Sequence, residues 1–554
     1  MKRLFLYLLS LTLAVACNSH NEITTDPLPT INFEQGNHYA LKVGSSLTLA
    51  PVVEHGTSYA WIADGVTLST SATYTFEATR EGTFYLTFRA SNSSGSSERE
   101  VRIDVEALQP PLISFAVGED KVLTLPVGEH TLLVDVLYGD GATYRWLLEE
   151  EEVSTSATCS LNLTAEGEYS LTLYVENEDG TAEEHLTLNV VKRLEGEIYL
   201  SDCYTVPLGH TLKVDATLWH FSAPSYRWQA AGVTSTEEVF AFTPTAEGEY
   251  AATLTLTDAD GYTLSHSFAI ICTPAEGTFR RAVTATSEAA SNKVFEYRPA
   301  AGQFINEPQS GFAGENSDVA AVAYAERRLE EGKYLSLGGW GGYVVVGFDH
   351  SVANSGDYDF SVSGNMHEGS SEAGIVWVMQ DSNGNGLPDD VWYELRGSEW
   401  GTENHSQGYA ITYYRPPHVG MGVQWRDNRG GNGIMSRNTT HTQEYYYPAW
   451  EQPTMTLYGS RLNANTEVDA TTGNQVNRAY AWGYADNQGS DSEAGTSGEA
   501  VKNYFKISSA VTADGEAADL QYIDFVKVQS AINHTAGALG EISTEVIAIE
   551  DENM

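Results

Sequence analysis

Between Asp381 and Asp390 the chain reads Asp-Ser-Asn-Gly-Asn-Gly-Leu-Pro-Asp-Asp. Asp381, Asn383 and Asn385 place a side-chain oxygen at every second position. Gly386 permits a sharp turn, and Asp389 and Asp390 bring two carboxylates back beside it. Oxygen donors at one radius around a turn suit a hard cation, calcium above all, because calcium accepts roughly six to eight oxygens in a flexible geometry. The same residue types also build Asx turns, in which the side chains bond their own backbone. The expectation is a structural calcium ion held by Asp381, Asn383, Asn385, Asp389 and Asp390. Glu372, Asp357 and Asp359 lie nearby in sequence, as further ligands or as ordinary strand-end residues.

A second group of residues suits binding. Trp400, Tyr413, Tyr414, Trp425, Tyr445, Tyr446, Tyr447 and Trp450 lie among Gly, Asn, Arg and His. Flat aromatic faces beside amides and guanidinium groups fit a large, partly polar ring-bearing ligand. Alternation along strands sends about half of such residues into a core. Trp400, Tyr414, Trp425, Tyr446 and Trp450 are the expected ligand contacts. Catalytic signatures are missing from the sequence: it holds no HExxH, no GxSxG, no Walker loop and no dinucleotide fingerprint. A carboxylate pair for glycoside hydrolysis leaves no spacing to read. The expected class is therefore a non-enzymatic binding protein.

These residues need a scaffold, and the N-terminus says where it works. Lys2 and Arg3 precede an apolar run from Leu4 to Leu13, too short to span a bilayer and typical of a signal peptide. Ala14-Val15-Ala16 then lead into Cys17, which resembles the lipobox of bacterial lipoproteins. Ala14 stands where that motif usually has Leu. The resemblance implies lipidation of Cys17, with the membrane engaged through the lipid anchor only. The formal charge of −45 opposes nucleic acid or anionic lipid as partners.

Residues 1–17 thus read as signal peptide and 18–27 as linker. Three repeats follow, at 28–107, 108–193 and 194–274. Tyr59-Ala-Trp61, Tyr144-Arg-Trp146 and Tyr226-Arg-Trp228 recur about every 84 residues. Each is followed by a Glu-Gly pair (Glu81-Gly82, Glu166-Gly167, Glu247-Gly248) and then an alternating strand that ends in a turn closed by Gly95, Gly180 or Gly261. Period-2 alternation between such turns signals an antiparallel sandwich with the Trp at its centre. The pattern resembles the PKD-type immunoglobulin-like module of bacterial surface proteins, which implies a spacer role. Cys203 and Cys272 open and close the third repeat, so a disulfide between them is an option. Cys159 takes the place of Tyr74 and Phe240 and reads as a small buried hydrophobe.

From about residue 275 to 554 the repeat stops, and seven of the 11 Trp lie there. Ser317, Asp318, Val319, Val322, Ala323, Arg327 and Arg328 predict one capped helix with an apolar face of Val319, Val322 and Ala323. The remainder reads as strands. The fold class is all-β: three tandem immunoglobulin-like sandwiches, then a larger jelly-roll-like sandwich with a minor helix. The 381–390 loop departs from an EF-hand, since Trp392 stands where that motif has its bidentate Glu.

The runs Gly342 to Val352, Tyr358 to Asn365, Ala373 to Asp381, Trp392 to Glu399, Phe525 to Gln529 and Gly540 to Glu545 resemble surface lipoproteins of Gram-negative gut anaerobes. Such proteins accompany TonB-dependent transporters for cobalamin or for glycans. The resemblance implies an outer-membrane protein facing the cell exterior that captures a nutrient for such a transporter, a corrinoid ahead of a glycan. An adhesin or stalk and a glycoside hydrolase are the competing readings.

Overall fold

The computed structural model describes residues 26–554 apart from Asn292 and Ser497. The lipidation site expected at Cys17 lies outside the described residues. The chain forms two compact units, one ending at Gln109 and the other running Pro110–Met554.

The first unit holds module 1. Its five-stranded sheet runs in the order His38–Lys42, Gly95–Glu106, Gly82–Asn92, Ser58–Ala63, Val66–Ser69. The first pair is parallel and the rest are antiparallel. Two strand pairs form the facing layer, Thr30–Asn32 with Val52–Glu54 and Ser46–Leu49 with Tyr74–Glu77. Modules 2 and 3 repeat the arrangement, with sheets Val122–Pro126, Gly180–Val191, Gly167–Asn177, Thr143–Leu148, Glu151–Ser154 and Cys203–Pro207, Thr263–Thr273, Gly248–Thr257, Ser225–Ala230, Val233–Ser235. These are tandem immunoglobulin-like β-sandwiches. Trp61, Trp146 and Trp228 are wholly buried at the centres of the three cores. The Gly of each Glu-Gly pair opens one of the two long strands of its module at φ 129°, 150° and 131°, a backbone state that L side chains rarely adopt.

Cys159 begins the strand Cys159–Leu163, as Tyr74 and Phe240 begin theirs, and it is wholly buried. Burial pushes its thiol up to about 11. The Cys203–Cys272 disulfide does not form, and both thiols are free. Their strands pair in parallel with Cys203 opposite Ala269 and Cys272 opposite Val206. An offset of three residues separates them by roughly 10 Å and points them to opposite faces, beyond the reach of a disulfide.

The C-terminal region of the second unit is built on a six-stranded antiparallel sheet, ordered Lys293–Arg298, Tyr343–Ala353, Tyr522–Ser530, Gly374–Met379, Tyr393–Leu395, Ala510–Val511. A three-stranded sheet, Val501–Phe505, Phe360–Gly364, Ala548–Asp551, faces it across a core that includes Val344, Val346, Val376, Val526, Phe360 and Ile549. The helix Asp318–Glu330 packs on the same core. Ser317 Oγ accepts the Ala320 N–H at 3.3 Å, and Arg327 and Arg328 occupy the last turn, as the sequence predicts. The buried face differs from expectation. Ala321, Tyr324, Ala325 and Arg328 turn inward at helical spacing, while Val319 is 82% exposed. Tyr324 supplies the area that the predicted small apolar face lacks, and Arg328 is drawn in to bond the Tyr334 carbonyl at 2.8 and 3.0 Å.

A separate four-stranded sheet, Asn432–Met435, Val423–Asp427, His405–Tyr414, Thr454–Leu462, closes over Trp340, Tyr446 and Tyr447. Modules 2 and 3 are joined to this region. Gln424 Nε2 donates to the Ser114 carbonyl at 2.7 Å, and the Gly422 N–H donates to Asp135 at 3.0 Å. Tyr199 stacks on Tyr458 with centroids 5.5 Å apart. Val391 and Tyr393 belong to the core of module 3. Among the described residues no helix is long and apolar enough to cross a membrane.

Candidate functional site

Where module 2 meets the C-terminal region, the surface opens into a cleft of about 670 Å³. One wall comes from module 2, from Ile113, Phe115 and Val117, with the Lys121–Glu184 ion pair (2.5 Å) at its rim. The other wall comes from Pro416, Pro417, Tyr445, Tyr447 and Pro453. That wall is fixed from behind. Asn306 sits at φ 58°, a left-handed state that Asn tolerates better than most residues. Its Nδ2 donates to the carbonyls of Tyr445 (3.1 Å) and Tyr447 (2.7 Å), and its Oδ1 accepts the Ala449 N–H at 3.1 Å. Tyr447 Oη donates to the Gln452 carbonyl at 2.6 Å, and the Arg415 guanidinium lies 5.1 Å from the centre of the Tyr447 ring. A largely apolar cleft that also carries Glu119, Lys121, Glu184, Arg415 and His418, on a fixed backbone, has the form of a preorganised ligand site.

The five aromatics expected at a site do not converge. Trp400 packs at a tilt of 36° against His405, with ring centroids 4.7 Å apart, beside Gly515. Tyr414 is half-buried on the face of its strand opposite to Tyr413. Tyr446 is wholly buried; its Oη accepts the Asn438 N–H at 3.1 Å and donates to the His441 carbonyl at 3.0 Å. Trp450 packs against Tyr297 in the main core. Trp425 lines a separate cavity of about 280 Å³. Tyr445 and Tyr447, on either side of Tyr446, line the cleft instead. Which members of the Tyr run line the cleft is set by the loop that Asn306 holds.

The Asp381–Asp390 loop gathers the predicted side chains, and each has a bonding partner. Asp381 accepts the N–H groups of Gly384 (2.8 Å), Asn385 (3.1 Å) and Gly386 (2.9 Å), so it shapes the turn. Asn383 and Asn385 turn their amide nitrogens to Asp389, both at 3.1 Å to one oxygen. Their own oxygens hold the backbone N–H groups of Asn385 and Leu387. Asp390 accepts Thr205 Oγ1 from module 3 and the Ser382 N–H at 2.9 Å. Burial pushes the Asp390 carboxyl up to about 7. As arranged, the loop is an Asx-rich turn that ties module 3 to the C-terminal region. Its donor types fit calcium, and Asp381, Asn383, Asn385, Asp389 and Asp390 are the residues that would hold it.

The neighbouring acids lie elsewhere. Asp357 pairs with Lys506 at 3.0 Å, and Asp359 caps the Ser355 and Ile507 N–H groups. Glu372 joins Asp486 and Glu545 in a cluster whose ligand atoms lie within 4.8 Å of one another. Burial, reinforced by mutual repulsion, raises Glu372 and Asp486 well above the usual carboxylate range, and burial raises Glu545 to about 7. Three distant stretches supply this cluster, so no spacing in the sequence announces it.

Residues 28–92 match the PKD-like domain family. That is module 1. Comparison with curated proteins returns no match. Among solved structures, the titin I-band fragment I67–I69 is 13% identical, covering 44% of this chain and 98% of its own, with a TM-score of 0.21. The fibronectin(III)-like modules of Clostridium thermocellum CbhA are 11% identical over 29% of this chain and 93% of theirs, with a TM-score of 0.17. Extracellular domains 3–5 of Drosophila OTK are 13% identical over 44% and 97%, with a TM-score of 0.16. At these values nothing about function carries over.

Proposed function

We propose that the chain is a non-enzymatic, exported surface protein that captures an amphipathic nutrient in the cleft between module 2 and the C-terminal region. The cleft itself carries this reading: 670 Å³ of largely apolar space with a fixed wall and polar groups at its edge. Lipidation of Cys17, an outer-membrane location and delivery to a TonB-dependent transporter rest on the N-terminal sequence and on the resemblance to surface lipoproteins. A corrinoid, with an apolar macrocycle and amide arms, suits these walls better than a glycan, which favours exposed ring faces.

Isothermal titration of the soluble chain with cyanocobalamin, then with an oligosaccharide panel, tests this. Calorimetry is the right readout because no Trp lines the cleft. Saturable cobalamin binding is the expected result. Binding of one glycan instead moves the assignment to carbohydrate capture, and silence towards both favours the stalk or adhesin reading.

Calcium at the 381–390 loop would act structurally, clamping the junction with module 3. Thermal unfolding should then rise by a few degrees in millimolar calcium over a chelator, since a ligand that binds only the folded state stabilises it by mass action. An unchanged midpoint contradicts the calcium assignment.

A further inference from the structure

A second cavity, sharing no residue with the cleft, lies against the four-stranded sheet. Its volume is about 280 Å³, room for a small molecule only. Trp340, Met435 and Ile532 are its buried lining, Trp425 forms a side, and Asn533 and His534 lie towards the surface. The Trp425 indole is laid over Gly433, where a Cβ would meet the ring at 2.7 Å. Trp340 is held by its own indole N–H, which donates to the Ser460 carbonyl at 3.2 Å, and by edge contact with Tyr409 at 4.5 Å.

Glu541 also lines this cavity and is only 4% exposed. Its Oε1 accepts the Gln303 N–H at 2.5 Å. Its Oε2 is buried and has no hydrogen-bond partner among the described residues. No Lys or Arg lines the cavity. A buried carboxyl oxygen without a partner is costly to keep, and a native protein that retains one usually has a use for it.

We infer that this cavity is a binding site for a small aliphatic primary ammonium group, held between the Trp425 and Trp340 indoles and hydrogen-bonded to Glu541. An ammonium brings the N–H donors that Oε2 lacks and the positive charge that indole faces attract. The net charge of −45 draws cations towards the molecule and repels anions. Burial pushes the free Glu541 carboxyl up to about 8.

The test is tryptophan fluorescence of the soluble chain titrated with n-butylammonium, with n-butanol and butyrate as neutral and anionic isosteres. The expected result is saturable quenching by butylammonium at up to about millimolar concentration, weakened at least ~10-fold in Glu541→Gln and absent for both isosteres. Trp425→Leu should weaken the same binding with Glu541 intact, which covers the case of a Glu541→Gln protein that does not fold. Equal response to butanol, unchanged affinity in a folded Glu541→Gln variant, or no response to butylammonium at about 10 mM would overturn the proposal.

Discussion

Modules 1 and 3 share a sheet order and a central Trp, yet they complete their cores differently. Module 1 surrounds Trp61 with its own residues, among them Phe33, Tyr59, Tyr74 and Phe88, the last with its ring centroid 4.6 Å away. Module 3 stacks Trp228 on Phe240 at 5.3 Å and anchors the indole N–H on the Glu237 carbonyl at 2.9 Å. It then takes Val391 and Tyr393 from the C-terminal region into its core. The outer surfaces of modules 2 and 3 carry bonds as well: Lys213 to Asp514 at 2.6 Å, Thr205 to Asp390, and Asp135 to Gly422. One sandwich design therefore serves either as a self-contained unit or as a part of a larger body. The second use creates the cleft, because one of its walls belongs to module 2.

Removing either central tryptophan should separate the two modules most clearly. Trp61→Ala and Trp228→Ala should each destabilise by roughly 3–5 kcal/mol, the usual range for emptying a core of a large aromatic. Their reach should differ. Trp228→Ala should open the C-terminal region to proteolysis along with module 3, whereas Trp61→Ala should open module 1 alone. Next in size, Thr205→Val removes a hydrogen bond to a buried carboxyl and should cost about 1–3 kcal/mol in denaturant unfolding of the second unit. Lys213→Ala should cost about 1 kcal/mol or less, since its partners Asp514 and Glu516 are partly exposed.

A further test separates the modules by pH. In module 1, bonds from His38 and then Thr83 hold Asp104 down at about 2, against an ordinary value of 3.8. A lowered carboxyl favours folding above 3.8, and that contribution disappears as pH falls towards 2. In the second unit burial raises Asp215 to about 6 and Asp390 to about 7. A raised carboxyl contributes fully below 3.8 and is lost as pH rises through 6 to 7. Denaturant midpoints at pH 4 and pH 8 should therefore fall with rising pH for the second unit, and Asp390→Asn should flatten that slope.

Much of the architecture was legible in the chain. The Tyr-x-Trp repeats, the Glu-Gly strand openings and the Gly-closed turns are local features, and each has one structural meaning. Cys159 could be placed among the core positions by alignment with Tyr74 and Phe240. The strand Gly374–Met379 and the Ser317 cap follow from pattern and propensity. The site was less legible, for a physical reason. Alternation distinguishes faces but not which face meets another domain, so Tyr446 was expected outside and lies in the core. The Asx-rich loop carries both a cation pattern and a turn pattern. The cleft and Glu541 depend on contacts between stretches separated by hundreds of residues, such as Gln303 with Glu541 and Ser114 with Gln424.

Modules 2 and 3 belong to the body that forms the cleft. Differential scanning calorimetry of residues 26–554 tests it most directly. Two transitions are expected, a small one for module 1 and a large cooperative one for residues 110–554, the latter moved by Trp228→Ala. Separate transitions for modules 2 and 3, with the C-terminal transition unmoved by Trp228→Ala, would contradict it.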